Sequence, residues 1–154
     1  MGRITAVIAV AAGLLALTDC GGGGGMMTPA IDPVNVYLAR LNTEQARLAA
    51  AERAIPAHPR TPATFSSSIA LLARAVGGLG GDLASIQPPA AVAADHRRLV
   101  SIVGAYAAEL QVAAQGSRSR AGELRAGSRI LTATTTASTA FSATVARIHA
   151  VLGR

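Results

Sequence analysis

Cysteine occurs once in this chain, tryptophan and lysine not at all, and the aromatic residues are two tyrosines and two phenylalanines. A single cysteine excludes an internal disulfide, and no Cys/His spacing matches a zinc site or a c-type haem attachment. Stacking platforms for single-stranded nucleic acid are made of aromatic side chains, so nucleic acid is not an expected partner. Charged residues are also sparse, at 14% of the chain. Eight scattered carboxylates nominate no catalytic pair. No serine-hydrolase elbow, phosphate-binding loop, metalloprotease motif or Cys/His nucleophile pair occurs. The expectation is a protein that is not an enzyme and that needs no cofactor.

What is present begins with the first 25 residues. Arg3 is followed by an uncharged, mostly apolar run from Ile4 to Leu17. A spanning helix needs about 20 apolar residues, so this run is short for one and fits a secretory signal instead. Then come Thr18, Asp19, Cys20 and the glycine run Gly21 to Gly25, which makes a flexible tether. The stretch Leu17-Thr18-Asp19-Cys20 resembles the lipobox of bacterial lipoproteins, although Asp19 stands where that family has Gly, Ala or Ser. The resemblance implies that Cys20 is lipidated and becomes the new N-terminus. That would hold the chain at the outer face of the cytoplasmic membrane; ordinary secretory cleavage is the alternative. Arginine without lysine, together with abundant alanine, is similar to the usage of GC-rich bacteria such as actinobacteria.

Residues 1–19 are thus read as signal peptide, 20–31 as lipidated cysteine and tether, and 32–154 as one domain. The leader-free chain keeps 13 arginines against seven acids, and its net charge stays at +6. An anionic envelope polymer or another envelope protein suits that charge in an exported protein.

Prolines punctuate the domain. Asp32-Pro33 and Thr61-Pro62 each place a capping residue before proline, a helix-start signal. Pro56, Pro59 and Pro62 separate the first two helices, and Pro88-Pro89 separates the second from the third. Apolar residues recur at alternating spacings of three and four through Phe65, Ile69, Leu72, Val76, Leu79, Leu83 and Ile86. The same rhythm runs through Val92, His96, Leu99, Val103, Tyr106 and Leu110. The last stretch gives Leu124, Gly127, Leu131, Thr134, Ser138, Phe141, Val145, Ile148 and Leu152. The spacing predicts helices over about 33–55, 62–86, 89–115 and 118–152. The second stays whole despite Gly77, Gly78, Gly80 and Gly81. Four helices with short connections predict an all-α, up-down-up-down four-helix bundle.

That topology sorts the polar residues to two ends. Arg53, His58, Arg60, Arg118, Arg120 and Arg125 fall at one, where Arg60, Arg118, Arg120 and Arg125 form a candidate patch for an anionic partner. Asp82, Asp95, His96 and His149 fall at the other, near Cys20. Facing helices form metal sites from such groups, so these four are candidate metal or small-ligand residues. The paired Glu-x-x-His motifs of di-iron bundles are missing. The segment from Leu83 through the Pro88-Pro89 turn to Leu99 also resembles helical envelope lipoproteins, in which a histidine follows a Pro-Pro turn. That resemblance implies compartment and fold, with no activity to carry over.

Overall fold

A computed structural model describes residues 32–53 and 61–153. Cys20, the tether, His58 and Arg60 lie outside the described residues, as do the side chains of Leu48 and Ala51 in the first helix. The domain is an all-α four-helix bundle in up-down-up-down order: α1 (Pro33–Arg53), α2 (Pro62–Ser85), α3 (Ala93–Gly116) and α4 (Arg120–Leu152). A short 3-10 turn, Ala90–Val92, leads from Pro89 into α3. Among the described residues no helix is long and apolar enough to cross a membrane.

The helix starts follow the capping signals. The Asp32 carboxylate accepts a hydrogen bond from the Val34 N–H at 2.9 Å, with Pro33 at the first helical position. Thr61 caps α2 reciprocally with Thr64: each side-chain oxygen accepts from the other residue's backbone N–H. Ser119 accepts from the Gly122 N–H to open α4, and Gly153, at φ 70°, closes it in the left-handed conformation that glycine tolerates best.

α2 runs unbroken through its glycines. Seven residues of its predicted seam carry it, with Ile69, Leu72, Val76, Leu79, Leu83 and Ile86 buried and Phe65 packed at the edge. The tertiary packing of that face outweighs the helix-weakening effect of glycine. α2 packs broadly on α3, and α3 on α4, around Val76, Leu83, Leu99, Leu110 and Ile148.

α1 is attached differently. Tyr37 reaches His96 on α3, while Arg47, about 15 Å farther along α1, reaches Asp82 near the end of α2. Its middle therefore lies opposite the end of α2, and α1 and α4 share no broad contact.

The first half of α4 departs from its predicted seam. Leu124 and Leu131, expected in the core, are 54% and 64% exposed, while Gly122 and Ala126 are buried. The cause is a close approach at the α3–α4 turn. A Cβ on Gly122 would run into the carbonyl oxygen of Gly116. With the backbones that near, small residues face α3 and the leucines turn outward. From Phe141 to Leu152 the predicted seam holds, with Ile148 fully buried.

Candidate functional site

The four residues nominated for a metal or small ligand are spread over α2, α3 and α4. His96 is 4% exposed, and both of its ring nitrogens are occupied. Nε2 lies 2.9 Å from the Leu83 carbonyl oxygen, which can only accept, so the proton sits on Nε2. Nδ1 then accepts the hydroxyl hydrogen of Tyr37 at 3.1 Å, and the two rings meet edge to face. Burial pushes the His96 pKa down, against a smaller upward pull from the Leu83 carbonyl. Burial also pushes the Tyr37 hydroxyl up to about 12, with the neighbouring Asp95 carboxylate adding to the shift.

The carboxylates have partners of their own. Asp95 receives two hydrogen bonds from Arg147 of α4, at 2.9 and 3.0 Å, and Arg147 also reaches Thr144. Asp82 pairs with Arg47, which is shared with the buried Glu44 of α1. His149 is half-buried near the end of α4. No group of three or more metal-ligating side chains that could hold an ion occurs among the described residues. Protonation, pairing and burial thus make His96, Tyr37 and their neighbours a seal between helices. The histidine was legible from the seam; its pairing with Tyr37, 59 residues away, was not.

A groove lies elsewhere, along the outer seam of α3 and α4. Its volume is about 860 Å³, and it runs from Ile102 and Ala140 to Gly116 and Gly122. Along α3 that is about 21 Å of helix. Its floor is apolar, formed by residues such as Ala113, Ala126, Ala133 and Ala137 around Tyr106. The Tyr106 hydroxyl is tied to Thr134 at 3.0 Å. Midway, the half-exposed Glu109 of α3 and Arg129 of α4 form an ion pair between the two walls. The hydrogen bond from Arg129 holds the Glu109 carboxyl below the usual carboxylate range.

The candidate arginines gather at one end of this groove. Arg125 lines it, and Arg118 is exposed on the adjoining turn. Neither makes an ion pair among the described residues, whereas Arg120 pairs with Glu123 at 2.8 Å. The other end, at Ile102, Ala105, Thr136 and Ala140, carries no charge. The sequence signal for a groove was the run of small residues in α4, which a search for large apolar repeats passes over. Arg97 and Arg98, exposed beside His96, form a second basic cluster. No family model, curated protein or solved structure matches the chain.

Proposed function

We propose that the chain is a lipid-anchored cell-envelope protein that acts by binding, with the α3–α4 turn and its groove meeting an anionic partner. The observation that carries this reading is the placement of two exposed arginines with no ion pair among the described residues, Arg125 lining one end of an apolar groove and Arg118 on the adjoining turn. Protein clefts of this size, mostly apolar with a few polar groups at defined positions, are the usual form of binding sites. The leader supplies the address: Leu17, Thr18 and Cys20 support lipidation at the outer face of the cytoplasmic membrane.

Two measurements test this. Cys20→Ala should move the protein from the membrane fraction to the soluble envelope fraction; retention in the membrane rejects the anchor. The Arg118→Glu/Arg125→Glu double variant should weaken binding to a soluble anionic polymer such as polyglutamate at least tenfold at low salt. Unchanged binding rejects the turn as the contact surface.

A further inference from the structure

We infer that the α3–α4 groove binds one long-chain anionic amphiphile, its hydrocarbon chain lying along the groove and its acid group at Arg125 and Arg118. This rests on the reading of the chain as a binding module and names the class of ligand.

Polarity along the groove is the first argument. One end is uncharged, between Ile102, Ala105 and Ala140; the walls midway carry the mutually neutralising Glu109–Arg129 pair, and the other end carries the guanidinium of Arg125. An amphiphile has the same division, an apolar body and a single charged terminus. Arginine can meet a carboxylate or phosphate head with two parallel N–H donors.

Length is the second. One leaflet of bilayer hydrocarbon, the reach of a single acyl chain, is about 15 Å. The groove is about 21 Å long on α3, enough for a chain of that length and a head group.

The third argument separates an acyl chain from a partner helix. The Glu109–Arg129 pair crosses between the two walls, half-exposed on both sides. A helix about 10 Å across, laid lengthwise, would rest on that pair and take it out of water. A single acyl chain is far narrower than a helix and covers less of that pair.

The test is isothermal titration of the full-length chain with hexadecanoate, kept below the concentration at which the ligand aggregates. Saturable one-to-one binding is expected. Arg125→Ala should weaken it at least fivefold, while hexadecan-1-ol binds both proteins alike. Thr136→Trp and Ala105→Trp, each filling the uncharged end from an exposed wall position, should abolish binding, with helicity checked by circular dichroism.

Absence of saturable binding overturns the proposal. So does full binding by both filled variants, which would place the chain elsewhere, for instance on residues 4–17. If an acidic amphipathic peptide binds, is blocked by Thr136→Trp, and hexadecanoate does not bind, the occupant is a protein helix and the proposal fails. A dimer that the filled variants convert to monomer assigns the groove to a second copy and likewise ends it. Polyglutamate binding without hexadecanoate binding removes the amphiphile and leaves the binding module; failure of both removes both.

Discussion

His96 and Arg125 sit on neighbouring helices and meet opposite fates. At the His96 end, Tyr37, Asp95, Asp82 and His96 itself each have a hydrogen-bond or ion-pair partner, and two of the four are buried. At the α3–α4 turn, Arg118 and Arg125 are exposed, with no ion pair among the described residues, beside an apolar groove. The first arrangement holds helices together, because a buried polar group without a partner is costly. The second contributes little to folding and leaves charge and apolar surface available. Residue type alone does not separate the two; a histidine suggests chemistry more readily than an arginine on a turn. What separates them is whether the fold has already used each group's bonding capacity.

The sharpest way to break this contrast is to exchange the two residues' expected costs. His96→Ala removes a fully engaged ring and leaves the Tyr37 hydroxyl and the Leu83 carbonyl without it. A core truncation combined with stranded polar groups should cost about 3 kcal/mol in urea unfolding. Arg125→Ala, an exposed site with no ion pair among the described residues, should stay within about 0.5 kcal/mol. Equal losses from the two variants would mean that the groove end is structural after all.

Mild acid and alkali probe the same contrast more gently, through the two buried rings of the His96 end. His96 is held neutral by burial, with its pKa below the ordinary value of 6.5. The unfolded chain takes up a proton first as pH falls. This contribution is therefore present above about pH 6.5 and is lost on the way down through the folded pKa. Tyr37 has the reverse sign: its pKa rises from 10.0 to about 12, so its contribution is complete below pH 10 and fades between 10 and about 12. Melting temperatures read from pH 8 to pH 5 should fall in the wild type more steeply than in His96→Gln. Parallel slopes would place the acid sensitivity outside the seal.

How much of this was legible in advance depended on side-chain size. Large apolar residues at spacings of three and four located α2 and α3 and put His96 on a buried face. The same pattern misleads in α4 because a leucine there need not face inward once glycine and alanine let the backbones close up. Gly122 against the Gly116 carbonyl decides that register, and no count of apolar repeats weighs a missing side chain. The proline punctuation gave the helix order but not the offset of α1. That offset appears in contacts far apart in sequence, such as Tyr37 with His96 and Arg47 with Asp82.

The glycines of α2 sharpen this last point with the smallest effect. Gly122 and Gly78 are both helical glycines, yet a Cβ at Gly78 would meet nothing within 4 Å. Its backbone lies in the helical region, with no positive φ recorded there, so alanine can adopt it without strain. Replacing glycine with alanine in such a setting restricts the unfolded chain and favours the helix. Gly78→Ala should therefore stabilise the domain by about 0.7 kcal/mol, read as a higher urea midpoint at unchanged slope. Gly122→Ala should do the opposite, because the added methyl group meets backbone that cannot swing aside. A gain at both positions would show that the α3–α4 turn relaxes freely, and the groove could not then be a fixed feature of the fold.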